Sequence, residues 1–212
     1  MPSEIFAGAG PTNPRWYHFA VIPVSSGRAG YVLVGGRSSR MGQDKALLPF
    51  RGGTLVQHVA AVVARAAGSV TLVGDPARYG TLGYPVLPDL YPGEGPLGGV
   101  ISALAHAGAD WNLVLACDMP GVSHELLVRL LEGAEASDAE VLAPAGASGR
   151  PEPLCAVYHR RALGRLERLF ARGERKMSRA LAALHTVISQ VDASGGGANV
   201  NTPADWAAYA RH

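Results

Sequence analysis

From residue 29 onward, short apolar runs alternate with longer stretches of helical period. Tyr31 to Val34 is an apolar run that stops at Gly35-Gly36 and opens into a polar, glycine-bearing loop, the pattern of a strand feeding a loop. Thr54 with Gln57 forms a capping-box signature, and Leu55, Val59, Val62 and Ala66 recur on one face up to Gly68, which predicts a helix. Val70 to Val73 and Pro85 to Leu87 read as strands, a helix starts near Pro96, and Trp111 to Ala116 is a further apolar strand. Ser123 caps a helix carrying Leu126, Leu127, Leu130 and Leu131, and Glu140 to Ala143 follows as a short strand. The last third is less regular. It offers a strand Leu154 to Tyr158, a helix with Leu163, Leu166, Leu169 and Phe170, a late strand Val187 to Val191 and a glycine loop Ser194 to Ala198. Thr202 as N-cap, Pro203 at the first position and Asp205 start a short final helix.

Such interleaving predicts an α/β domain of three layers, Rossmann-like, with a mostly parallel twisted sheet, helices on both faces and an antiparallel part supplied by the C-terminal third. Residues 1–28 repeat Pro, Gly and Ser without a sustained period and read as an N-terminal extension, in which HFAVIPV can form at most a peripheral strand because of Pro23. Residues 29–212 then form a single domain, with no internal repeat.

At 212 residues, 48% apolar and 17% charged, the chain is long enough to bury a core without staples. A formal charge of +2 is too small to argue for a nucleic-acid partner. The densest basic stretch, Arg172 to Arg179, reads first as an exposed helix face and second as a contact for an anionic substrate. Cys117 and Cys155 stand in no ligand or disulfide spacing, which fits a reducing cytoplasm. No apolar run approaches the roughly 20 residues of a membrane span, and no signal-peptide pattern opens the chain.

The chemistry concentrates in four places. The richest is GGRSSRMGQDK, Gly35 to Lys45, directly after the first strand. Glycines let backbone N–H groups approach phosphate oxygens, and Arg37, Arg40 and Lys45 can neutralise the charge of a transferring phosphoryl group, although tight turns need glycine as well. Neither GxxxxGK[ST] nor GxGxxG occurs. The second is Asp118 in ACDMP, at the carboxyl end of an apolar strand, where a carboxylate can hold Mg²⁺ beside a triphosphate or serve only a turn. The third is DLYPGEGPLGGV, Asp89 to Val100, a glycine- and proline-rich loop opening a helix. The fourth is the pair RPEPLCAVYH and NVNTPAD. His58 and His106 fall on helices and His159 follows a strand, without partners at metal spacing, and Cys117 reads as a small apolar residue.

LVGGRSSRMGQDKALL resembles the signature LAGGxSxRMGxDKxLL of the MobA-like nucleotidyltransferases, the molybdenum cofactor guanylyltransferase family. Leu33, Gly35, Gly36, Ser38, Arg40, Met41, Gly42, Asp44, Lys45 and Leu47 match it, and all four motifs occur in the family's order over about residues 30–207. The resemblance implies a fold like that of the nucleotide-diphospho-sugar transferases and transfer of GMP from GTP to the terminal phosphate of Mo-molybdopterin, with release of pyrophosphate. It assigns catalysis to Lys45, Asp118 and Arg40, with Mg²⁺ on Asp118 and Asn201 as a candidate second ligand. It assigns the nucleotide to Leu33, Val34, Gly35, Gly36, Ser38, Lys45, Asp89, Gly95, Pro96, Leu97, Gly98 and Asp118. Asp89 would accept from N1 and N2 of guanine, while Arg150, Asn199 and Asn201 would meet the acceptor. Proteins that deliver molybdopterin or mature molybdoenzymes are the implied partners. Departures are Val34 for the usual Ala, the N-terminal extension, and Gly74 where an asparagine often follows the second strand. A CTP-dependent relative or another small-molecule nucleotidyltransferase is the nearest alternative, and a non-catalytic nucleotide-binding partner is the second.

Overall fold

The computed structural model describes residues 27–35, 44–146 and 149–189. Strand β1 (Arg28–Leu33) is followed by the small hairpin β2 (Pro49–Phe50) and β3 (Gly53–Thr54), helix α1 (Leu55–Ala67), β4 (Thr71–Val73), the one-turn helix α2 (Pro76–Tyr79) and β5 (Val86–Leu87). Helix α3 (Pro96–Ala105) leads to β6 (Trp111–Ala116), α4 (His124–Glu135) and β7 (Val141–Pro144). The remainder is β8 (Cys155–His159), α5 (Leu163–Ala171), α6 (Met177–Ala182) and β9 (Thr186–Ser189).

Seven strands form one sheet in the order β5-β4-β1-β6-β8-β7-β9. β4, β5 and β6 run parallel to β1, and β7 and β9 run parallel to each other. β8 lies antiparallel between β6 and β7 and is the antiparallel part expected of the C-terminal third. Its inversion leaves β7 and β9 pointing the same way as β6, so their carboxyl ends share one edge of the sheet.

Alternate residues of the central strands feed two cores, as the pleat requires. Val32, Leu113, Leu115, Cys155, Val157 and Leu142 face α1 and α4. Tyr31, Val114, Ala156, Tyr158, Val141 and Ala143 face α3, α5 and α6. Burying each large apolar side chain in such a layer contributes roughly 1.5–3 kcal/mol, and Leu113, Leu115, Leu127, Leu130 and Leu131 are wholly covered.

Local signals set the helix ends. The Thr54 hydroxyl accepts from Gln57 N, the Gln57 amide oxygen accepts from Thr54 N, and α1 stops at Gly68 in a left-handed conformation with φ of 78°. Ser123 caps α4 by accepting from Leu126 N. Two expectations are corrected. β1 starts at Arg28 rather than Tyr31, because pairing with Trp111 to Leu113 extends the strand past its apolar run. The buried face of α1 uses Val63, with Val62 only half-buried. Helices α2 and α6 are both too short to carry a period, and neither was anticipated. The expected peripheral strand HFAVIPV, the glycine loop and the helix from Thr202 fall outside the described residues. No helix among the described residues is long and apolar enough to cross a membrane.

Candidate active site

From β1 the chain steps outward to β4 and β5, then returns through α3 to β6 on the other side of β1. The crevice at the carboxyl ends of β1 and β6 is therefore the topological switch point, where ligands of open α/β sheets collect. Leu33 pairs with Ala116 there, and Cys117 N donates to the Leu33 carbonyl at 3.2 Å. Asp118 follows directly, in the turn leading to α4.

On the β1 side, Asp44 and Lys45 open a 3-10 turn, Lys45–Leu47. Asp44 caps that turn by accepting from Ala46 N at 3.1 Å through Oδ1. Its Oδ2 accepts from the Tyr79 hydroxyl at 2.8 Å and forms an ion pair with Arg78 Nε at 2.7 Å, and the carboxylate is only 9% exposed. Burial, with the hydrogen bond to Asp44, pushes the Tyr79 phenol far up, so the hydroxyl stays a donor.

Burial raises the Asp118 carboxyl above its ordinary value of 3.8, and the nearby Lys45 ammonium opposes that rise. The two side chains thus feel each other across the crevice, a cation beside a carboxylate left short of solvent. Burial pushes the thiols of Cys117 and Cys155 up to about 12, which leaves both protonated and supports reading Cys117 as an apolar packing residue. His58 donates from Nε2 to the Pro120 carbonyl at 3.2 Å, and burial lowers its pKa; a neutral imidazole on α1 thereby holds the loop that carries Asp118.

The third wall is the N-terminal end of α3. Gly95 is its N-cap without a side-chain hydrogen bond, and Pro96 holds the first position, so the positive end of the helix dipole lies at this edge of the sheet. Leu97 and Gly98 are buried behind it. Asp89 lies just past β5 and has one oxygen occupied: Oδ1 accepts from Tyr91 N at 3.0 Å and from Ser102 Oγ at 2.8 Å. The carboxylate therefore ties its loop to α3, which the sequence reading had not anticipated.

The same loop is clasped from outside. The Tyr91 ring packs on Phe170 with centroids 4.4 Å apart, and the Arg175 guanidinium covers the Phe170 ring at 3.6 Å. Arg175 Nε also donates to Glu94 at 2.8 Å. Arg179 pairs with Glu174 at 3.7 Å. The basic stretch Arg172 to Arg179 thus pairs Arg175 with Glu94 and Arg179 with Glu174, and only its last three residues are helical, in α6, so it is not one continuous helix face.

The structure brings Leu33, Val34, Gly35, Lys45, Gly95, Pro96, Leu97, Gly98 and Asp118 to one edge, with Asp89 beside them. Arg150 is exposed in the loop from β7 to β8, which starts at that same edge. Gly36, Ser38, Arg40, Asn199 and Asn201 lie outside the described residues. Among the described residues no group of three or more His, Cys, Asp or Glu can enclose a metal ion. Arg78 and Tyr79 were missed by sequence reading, though Asp75-Pro76 is a helix-start signature that marks where they lie. Ser102 gave no signal, being one small polar residue inside an apolar helix.

The sequence profile of the MobA-like NTP transferase domain matches residues 30–187. A Mycobacterium marinum protein named probable molybdenum cofactor guanylyltransferase is 41% identical over 191 residues, covering 86% of this chain and 93% of the relative. Its namesake in Bacillus thuringiensis is 34% identical over 184 residues, covering 84% and 88%. The crystal structure of molybdopterin-guanine dinucleotide biosynthesis protein A from Archaeoglobus fulgidus superposes with a TM-score of 0.74 at 29% identity, covering 86% of this chain and 97% of that one.

Proposed function

Because the chain belongs to the family of MobA-like NTP transferase domains, we propose that it transfers GMP from GTP to the terminal phosphate of Mo-molybdopterin, giving the guanine dinucleotide cofactor and pyrophosphate. The observation that carries the reading is the meeting of Lys45, Asp118 and the N-terminal end of α3 at the switch point between β1 and β6. A cation and a helix N-terminus there suit a triphosphate, and a desolvated carboxylate suits the ion that accompanies it.

Mg²⁺ fits the donor set. This ion is commonly held by one or two carboxylates with phosphate oxygens and water completing the shell, and Asp118 supplies one hard oxygen ligand, with Asn201 as a second candidate. When bound, the ion would offset charge on the phosphates. The chain's own work is placement. Lys45, with Arg40, binds the triphosphate, the backbone from Leu33 to Gly36 and Ser38 approach it closely, and Asp89 selects the base through the oxygen that Ser102 leaves open. Arg150, Asn199 and Asn201 receive the acceptor. The acceptor phosphate is already ionised at neutral pH and attacks the α-phosphorus in line, so no side-chain nucleophile is required. The unreactive thiol of Cys117 agrees with that.

Thermal shifts with GTP, CTP, ATP and UTP, with and without Mg²⁺, followed by pyrophosphate release on adding Mo-molybdopterin, test the proposal. Stabilisation by GTP with Mg²⁺ and acceptor-dependent pyrophosphate are expected. Stabilisation by CTP alone would make the enzyme a cytidylyltransferase, and binding without turnover would make it a nucleotide-binding partner.

A further inference from the structure

The short helix α2 contributes nothing to the motifs that align with the nucleotide site, yet both of its last residues end on the carboxylate that precedes Lys45. Tyr79 is 1% exposed, and its ring lies against Gly74 at the end of β4. Its hydroxyl reaches Asp44 Oδ2 at 2.8 Å, across 35 positions of sequence. Arg78, half exposed, meets the same oxygen at 2.7 Å. Asp75 caps α2 by accepting from Ala77 N at 2.9 Å, with Pro76 in the first turn, so the helix is built to present these two residues in succession.

We propose that Arg78 and Tyr79 are positioning residues for Lys45, acting through Asp44, and that α2 thereby sets the affinity of the site for a nucleoside triphosphate. Two physical effects combine. The donors fix the carboxylate whose other oxygen caps the Lys45–Leu47 turn, so the direction in which the Lys45 backbone leaves the turn follows from the position of α2. Arg78 also neutralises Asp44, which it meets as an ion pair. With Arg78 removed, Asp44 competes with the triphosphate for the Lys45 ammonium.

The inference rests on the nucleotidyl-transfer reading, and a double-mutant cycle separates the two. GTP affinity with Mg²⁺ is measured by titration for wild type, Arg78→Ala, Arg78→Lys, Tyr79→Phe and Lys45→Ala, and for Arg78→Ala and Tyr79→Phe combined with Lys45→Ala. The ligand-free melting temperature of every variant is recorded alongside. Loss of one charge-assisted bond predicts about tenfold weaker GTP binding for Arg78→Ala. Arg78→Lys should recover much of that loss, and neither Arg78→Ala nor Tyr79→Phe should weaken binding further once Lys45 is gone. Unchanged affinity in both single variants, or full additivity with Lys45→Ala, overturns the positioning role. Should Tyr79→Phe fail to fold, the cycle on the half-exposed Arg78 decides alone. A wild type that binds no triphosphate overturns the nucleotide reading and this inference together, whereas a binding wild type with indifferent variants overturns this inference only.

Discussion

Ser102 Oγ lies 2.8 Å from Asp89 Oδ1, and the same hydroxyl accepts the Leu90 N–H at 2.9 Å. Its single hydrogen is shared between Asp89 and the Gly98 carbonyl, also at 2.8 Å. A fully buried serine inside an otherwise apolar helix thus holds both the acidic side chain and the backbone of the base-selecting loop, leaving Asp89 Oδ2 without a partner among the described residues.

Ser102→Ala should therefore do two separable things. Unfolding free energy should fall by about 1–2 kcal/mol, because a part-buried N–H and a carboxylate oxygen lose a partner. The preference for GTP over CTP should narrow as well, since a loosened Asp89 is a poorer match for the two guanine donors. Urea unfolding and a competition assay read the two effects. A base preference identical to wild type would mean that the Tyr91 N–H alone orients Asp89.

Asp118→Asn should abolish most transfer while leaving ligand-free stability equal to or above wild type at neutral pH. The carboxyl is raised above 3.8 chiefly by burial. A group raised in the folded state adds stability below its unfolded pKa and loses it as pH rises through the folded value, so at pH 7 the ionised Asp118 is a cost. An amide removes that cost, and with it the ligand for Mg²⁺. Wild type should lose stability relative to the variant as pH rises above about 4, and only wild type should gain stability from Mg²⁺ with GTP. A variant that turns over at the wild-type rate in saturating Mg²⁺ would make Asp118 a turn residue.

How much of this was legible beforehand depends on whether the signal was local. The α1 capping box of Thr54 and Gln57, the full extent of Trp111–Ala116 and the Ser123 cap are written in adjacent residues, and the structure reproduces them. The place of Asp118 was legible for the same reason, since it closely follows the apolar strand Trp111–Ala116, whereas Lys45 stood out through the glycine-rich, basic composition of the loop after β1. The Asp44–Tyr79 bond was not, because its partners meet only after β4 pairs with β1. The second role of Asp89 was hidden likewise, since Ser102 reaches it from α3 through the packing of that helix on its loop. In Arg172 to Arg179 the exposure was legible from the charge pattern, but the pairing of Arg175 with Glu94, 81 residues away, was not.

Gly74 offers a sharper test, because the resemblance to the family's motifs implies an asparagine at this position and a substitution toward that residue would ordinarily be expected to help. A Cβ at Gly74 would lie 2.6 Å from Val34 Cγ2, 2.7 Å from the Val34 carbonyl oxygen and 3.2 Å from Tyr79 Cε2. The backbone there cannot easily retreat. Val34 N donates to the Val73 carbonyl and Gly74 N to the Leu87 carbonyl, both at 2.9 Å, so the strand ends are pinned from two sides. The Val34 side chain is buried, and Tyr79 is held by Asp44. Gly74→Ala and Gly74→Asn should therefore each cost about 1–3 kcal/mol, as overpacking in a close-packed site does. The strain should also pass through the Tyr79 ring to Asp44 and the Lys45 turn, so GTP binding should weaken in both variants even though asparagine brings new hydrogen-bonding groups. Urea midpoints and GTP titrations on the two variants measure this. An asparagine variant that is more stable than wild type, or that binds GTP more tightly, would show that the end of β1 yields to a side chain and that the glycine is not what seats Tyr79.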